Sequence, residues 1–277
     1  MPVIAMNQEM GSQGKFVAEK LAEELGLDIV RHKIIDHVAE KMHVRKSTLQ
    51  RYLQGNAGLL ERWGTDEASL VLFKVEEILE LAAKGNVIIR GWGATHVLHP
   101  IPHILCVRVG APFATRVKWL MTSLGTDDEE MASEEIRHSD AAHRANMQHQ
   151  FGVTWGEAMQ YDLTLNTERL SVATCVEQIK QLLKRPEFQE TPESHAKLAN
   201  LTLEYHVRSA LRAHAKTADV KIAISADNGK LMLEGIAASA DERHAIVDVV
   251  SHVAGVKGVD NKLKTMKDVK IFPSSKT

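Results

Sequence analysis

The chain opens on a short apolar run, Val3 to Met6, followed by the turn Gly11-Ser12-Gln13-Gly14-Lys15. Apolar residues then recur at helical spacing, Val17, Leu21 and Leu25, and Gly26 is placed to end that helix. Leu27–Val30 reads as a short strand, and Ile34, Ile35, Val38 and Met42 repeat as a second helix. Ser47 suits an N-cap and Gly55–Gly64 a loop. A longer helix is expected after Thr65, through Val71, Val75, Ile78 and Ala82 to Gly85. Two compact apolar runs, Val87–Ile89 and Ile104–Val109, suit parallel strands covered by helices on both faces. Pro112 fits the first turn of another helix. Thr126-Asp127-Asp128-Glu129 reads as a capping box opening a charged helix to about Gln150. Tyr161–Leu165 makes a last strand, and Ser171 caps a helix bearing Val172, Val176, Ile179 and Leu183. Strands alternating with helices predict a parallel α/β sheet.

The pattern changes after Lys184. Residues 184–198 hold Pro186, Pro192 and mostly polar side chains, the composition of a linker. Beyond them Leu203, Val207 and Leu211 mark a helix, and Val220, Ile222 and Ile224 alternate as in a half-buried strand. Asp227-Asn228-Gly229 signals a hairpin, because such a turn needs positive φ. Leu231 and Leu233 continue the alternation to Gly235; a helix with Ile246, Val250 and Val253 and a strand over Val259–Leu263 complete an αββαβ module. The expected division is 1–185, a linker at 186–198, and 199–271.

The bulk numbers narrow the function classes. Among 277 residues, 44% are hydrophobic and 25% charged, as in a folded soluble protein. The formal charge of −2 gives no global attraction to nucleic acid. No basic, apolar leader pattern opens the chain and no run approaches a membrane span, so a cytoplasmic location without a transmembrane segment is expected. The two cysteines, Cys106 and Cys175, sit in apolar runs and read as buried thiols. Fourteen histidines are present, but His96 with His99 and His138 with His143 lack a full ligand set, and no metal site is assigned to them.

The chemistry concentrates at the first turn. A strand, a glycine turn and a helix form an anion site, because backbone N–H groups and the helix N-terminus face the ligand. Gly11, Ser12, Gln13, Gly14 and Lys15 occupy that junction. The full G-x-x-x-x-G-K-[ST] pattern is not met: Glu9 stands where the first glycine belongs and Phe16 where a hydroxyl belongs. Arg90 follows three apolar residues and precedes Gly91-Trp92-Gly93, a strand end where ligands of α/β sheets bind; a strand-capping arginine reads the same way. Arg137 and Arg144 are seven apart, on one helical face with Asp140 between them, and a salt-bridged surface helix would look alike. Arg116 suits a structural role or a phosphate contact, and Asn166-Thr167 end the last strand.

Over residues 3–183 these segments, in this order, resemble the cytidylate kinase-like family of P-loop nucleoside monophosphate kinases. They are Met10–Lys15 with its helix, Val87–Gly93, Arg137 to Arg144, and Tyr161-Asp162 to Leu170-Ser171. The resemblance implies ATP and Mg²⁺ as cofactors, with Gly11, Ser12, Gln13, Gly14, Lys15 and Asn166 binding the donor nucleotide. Arg90, Gly91 and Gly93 would take the acceptor, and Lys15, Arg137, Asp140 and Arg144 would form a catalytic group beneath a lid. CMP or dCMP is the implied acceptor. Arg31-His32-Lys33 stands where the family commonly has an aspartate, and with Glu9 and Phe16 this favours a second reading. In it, a catalytically degenerate nucleotide-binding sensor signals through its C-terminal module. That module resembles the BON domain on Val220–Ile224, Asn228–Gly235 and Val256–Leu263, with Gly235 and Gly258 read as positions where a side chain would obstruct. The resemblance implies a small-molecule, lipid or protein ligand. Lys257, Lys262, Lys264, Lys267 and Lys270 form a basic edge, most simply a solvated face.

Overall fold

A computed structural model describes residues 1–30, 33–53, 66–91 and 93–268, and the chain divides into two compact units, residues 1–194 and 195 onward. Arg31, His32, Trp92, Lys270 and the 55–64 loop lie outside the described residues.

The first unit is built on a parallel sheet. Strands β1 (Val3–Gln8), β2 (Asp28–Val30), β3 (Val87–Arg90), β4 (Leu105–Gly110) and β5 (Leu163–Asn166) lie in the order β2-β3-β1-β4-β5. Each neighbouring pair is parallel. Helix α1 (Gly14–Leu25) and helix α8 (Val172–Leu183) bury Val17, Leu21, Cys175, Val176 and Ile179 against Ile4, Met6, Ile88, Leu105 and Val107 on one face. Between β2 and β3 run α2 (Lys33–Lys41), α3 (Lys46–Leu53) and α4 (Glu67–Lys84); α5 (Ala94–Leu98) follows β3. On the opposite face α5 packs on β1 and β4, and α4 on β3. Both cysteines are buried, and burial pushes both thiols above their usual pKa. Between β4 and β5 stand α6 (Phe113–Leu124) and the 23-residue α7 (Glu129–Phe151). All the strands therefore point their C-terminal ends to one edge, where open α/β sheets bind ligands.

In the second unit α9 (Pro192–Ala213) and α10 (Ala240–Ser251) cover a three-stranded sheet of β6 (Ala223–Asp227), β7 (Lys230–Ala237) and β8 (Gly258–Thr265). The β6–β7 pair is antiparallel, closed by Asn228 and Gly229 with φ of 50° and 89°, and β7–β8 is parallel. Leu203, Val207, Leu211, Ile246 and Val250 meet Ile224, Leu231, Leu233 and Leu263 in its core. Among the described residues no helix is long and apolar enough to cross a membrane.

Several boundaries differ from the pattern-based expectation. The 186–198 segment is not extended chain: a 3₁₀ turn spans Pro186–Phe188 and α9 already begins at Pro192. Both prolines stand at first helical positions, where the missing N–H costs nothing, so they start structure instead of interrupting it. Ser47 lies inside α3, and Asp128 rather than Thr126 caps α7, its carboxylate accepting from Met131 N at 2.9 Å. Val220 and Ile222 precede β6 and pack against the core from the chain before it. A Cβ on Gly258 would meet open space, so nothing obstructs there, whereas a Cβ on Gly235 would sit 3.0 Å from Ile222.

One buried charge sets a pH dependence. Lys74 of α4 is 2% exposed; its ammonium donates to Gln150 Oε1 and lies 4.5 Å from the Phe151 ring centre. Burial lowers its pKa to about 7, against an opposing pull from Glu67. The unfolded chain therefore holds this proton between about pH 7 and pH 10.5 while the folded chain releases it. Stability contributed by this site rises with pH across that window, by up to ~1.4 kcal/mol per pH unit. Urea unfolding at pH 7, 8 and 9 checks this, and Lys74→Met should flatten the slope.

Candidate active site

The glycine turn sits at the C-terminal end of β1. Gly11 has φ of +78°, and a Cβ there would lie 2.6 Å from the Arg116 carbonyl oxygen, so only glycine fits this bend. Ser12 is buried and folds back: its N–H donates to Glu9 O at 3.2 Å and its hydroxyl to the same oxygen at 2.7 Å. Gln13 takes the left-handed N-cap position with φ of 58°, and α1 begins at Gly14. The first-turn amides of a helix have no intrahelical acceptor, and no acidic residue stands in the first turn of α1. The Lys15 side chain is 60% exposed and its Nζ stands 3.6 Å from Glu19. Thr167, just past β5, donates its hydroxyl to Ser12 O at 2.8 Å and ties the turn to the far strand.

Four charged side chains line up beside the turn. Arg108, in the middle of β4, donates to Asn7 Oδ1 at 2.9 Å and to Glu9 Oε1 at 2.6 Å. Arg116 of α6 lies with its Nε 3.6 Å from Glu9 Oε2 and donates through both terminal nitrogens to Asp140, at 3.0 and 2.8 Å. It also reaches the Met10 carbonyl at 3.4 Å. Arg108, Arg116 and Asp140 are all buried, and alternating signs along the row meet the requirement that buried charges be paired. Trp155 packs over Arg108 at 4.6 Å and stacks on His143 of α7 at 5.2 Å.

Arg90 is buried at the end of β3 and donates to Gln8 Oε1 at 2.7 Å. Gly91 bends there with φ of 76°. Gly93 serves packing: a Cβ on it would lie 2.4 Å from the Phe151 ring. Asn166 forms a local turn, Oδ1 accepting from Glu168 N at 3.0 Å. Arg137 and Arg144 are both exposed on α7, Arg137 lying 5.1 Å over the Phe113 ring. Asp140 is not grouped with them by a bond: both its oxygens accept from Arg116.

A glycine turn at the β1–α1 junction of a β2-β3-β1-β4-β5 parallel sheet, with Arg90 at the end of the neighbouring strand β3, is a P-loop kinase-like arrangement. The model of the "Cytidylate kinase-like family" matches residues 3–169, and that of the "BON domain" matches 201–267. The chain belongs to the cytidylate kinase-like family. It carries a C-terminal BON domain, and its general function is kinase-like. Among solved structures it is similar to an uncharacterized protein from Eubacterium ventriosum, at 20% identity and TM-score 0.52, over 67% of this chain and all of that one. Weaker likenesses are a shikimate kinase from Bacteroides thetaiotaomicron (14%, TM-score 0.40, 66% and 99% of the two chains) and the YorR protein from Bacillus subtilis in complex with phosphorylated GDP (14%, TM-score 0.40, 68% and 99%). At these identities only the fold is shared, and it is the first that carries this. No curated protein matches the chain.

The loop of this cytidylate kinase-like unit does not fit a protein-held Mg²⁺. The Ser12 hydroxyl is spent on Glu9 O, and Phe16 offers no ligand, its ring packing edge-on to Trp119 at 5.7 Å. The Glu9 carboxylate is engaged by Arg108 and the Ala111 amide. Glu9 was legible only as a departure from the glycine pattern, Thr167 only as part of the strand-ending Asn166-Thr167 pair, and Asn7, Arg108 and Trp155 gave no motif at all. A signal for Arg108 existed: an arginine inside the apolar run Leu105–Val109 needs a buried acidic partner.

Proposed function

We propose that the first unit transfers the γ-phosphoryl group of ATP to a nucleoside monophosphate, with CMP or dCMP favoured by family. What carries this reading is the attachment of α7 to the glycine turn through Asp140, Arg116 and Glu9, with Arg137 and Arg144 left exposed on the same helix. The turn amides and Lys15 hold donor phosphates, and Arg90 the acceptor phosphate. An acceptor phosphate oxygen attacks the γ-phosphorus, the bond to the β–γ bridging oxygen breaks, and ADP leaves. Such a transfer needs positioning and charge neutralisation more than covalent help, which Arg137 and Arg144 supply. ATP and a cytoplasmic setting belong to this reading.

Phe16 and the inward-turned Ser12 favour a second reading, a nucleotide-binding sensor without turnover that signals through its BON domain. Both readings expect ATP at the turn. At 100 times Kd, ATP should stabilise the folded chain by about 2.7 kcal/mol. Thermal unfolding with and without saturating nucleotide measures this, and Lys15→Ala should reduce the shift. No shift at millimolar ATP, or an equal one in Lys15→Ala, rules out the turn as the site.

A further inference from the structure

We infer that Glu9 is a positioning residue that couples α7 to the glycine turn by gathering two buried arginines on one carboxylate; its bearing on catalysis rests on the function proposed above. Two routes leave α7 from residues three apart, hence from one face of the helix. One runs from Asp140 through Arg116 to Glu9 Oε2, the other from His143 through Trp155 and Arg108 to Glu9 Oε1. Both end on the residue whose own carbonyl accepts the Ser12 amide and hydroxyl and so shapes the turn.

The surroundings are fitted to this carboxylate. Gly110 leaves it room, since a Cβ there would lie 2.8 Å from Glu9 Oε2, and Gly156 leaves room for Arg108, where a Cβ would lie 3.0 Å from Nη2. Ala111 N donates to Glu9 Oε2 at 3.1 Å. Two guanidinium groups and two carboxylates balance; a glycine at position 9, as the standard phosphate-loop pattern demands, would leave two buried arginines one carboxylate between them. Glu9 is thus a replacement device and not a sign of decay, and restoring the glycine should disable the turn.

The test uses the full chain with Glu9→Gly, Glu9→Gln and Asp140→Asn, at a temperature where circular dichroism shows each folded. Glu9→Gly and Glu9→Gln should each weaken ATP binding about tenfold or more, and Glu9→Gln with Asp140→Asn should be non-additive. Without nucleotide, hydrogen exchange should quicken together at residues 10–14 and 136–147 in both Glu9→Gln and Asp140→Asn. Asp140→Asn removes no side chain of the turn, so faster exchange at 10–14 in that variant reports coupling and not local damage. ATP binding by Glu9→Gly equal to or tighter than wild type overturns the inference. So does exchange that quickens at one segment and leaves the other unchanged. If the wild type binds no ATP, the proposed function falls, and the exchange measurements alone decide the coupling. If a Glu9 variant does not fold, Asp140→Asn decides it.

Discussion

Arg137→Ala and Arg144→Ala should each lower kcat by ~10³ while leaving the melting temperature nearly unchanged. A guanidinium that meets charge spreading over the transferring phosphoryl group is worth that much or more in related phosphoryl transfers. Both side chains are exposed on α7, where an ion pair or surface contact contributes about 1 kcal/mol or less. Arg137 lies over Phe113, so its alanine variant should lose slightly more stability than that of Arg144. Lysine at either position should restore little turnover, because it loses the planar fork that grips two phosphate oxygens. Steady-state kinetics beside thermal melts separates the effects. Near-native turnover in both alanine variants would make α7 an ordinary charged surface helix.

Asp140→Ala should do the reverse to stability. Its carboxylate is bonded twice to Arg116, and both residues are buried. Removing one partner leaves a buried guanidinium with a single distant carboxylate, Glu9 Oε2 at 3.6 Å. Breaking a buried pair in this way costs ~3–5 kcal/mol. For a domain of this size the melting temperature of the first unit should fall by roughly 10 °C. A fall of under about 2 °C would mean that the pair contributes little, and that α7 is held mainly by the apolar contacts of Val117, Leu120, Ala132 and Ile136. Asp140 and Arg144 are only four residues apart, yet only the Asp140 substitution should lower the melting temperature strongly.

The contrast between those two residues marks how far the sequence could be read. Periodicity located all five strands and most helices of the first unit, because fully covered strands are continuous apolar runs and the helices carry one apolar stripe. The αββαβ order of the second unit followed from alternation and one hairpin turn. What periodicity cannot give is pairing. Spacing and the family resemblance together grouped Arg137, Asp140 and Arg144; the fold brings α6 alongside and hands Asp140 to Arg116, which is 24 residues away. Glu9 and Arg108 are 99 residues apart and meet only because β1 and β4 are neighbours. Local composition also leaves open what the prolines of 186–198 do, since their effect depends on whether they open a helix, as Pro192 does, or fall inside one.

Turnover at this site is read out by ADP release from the full chain. The protein is supplied with Mg-ATP and each of CMP, dCMP, UMP, AMP and GMP in turn. If the proposed transfer takes place, ADP release requires a monophosphate, is fastest with CMP or dCMP, and is lost in Arg137→Ala and Arg144→Ala. A wild-type protein that binds ATP yet releases no ADP with any monophosphate would contradict it.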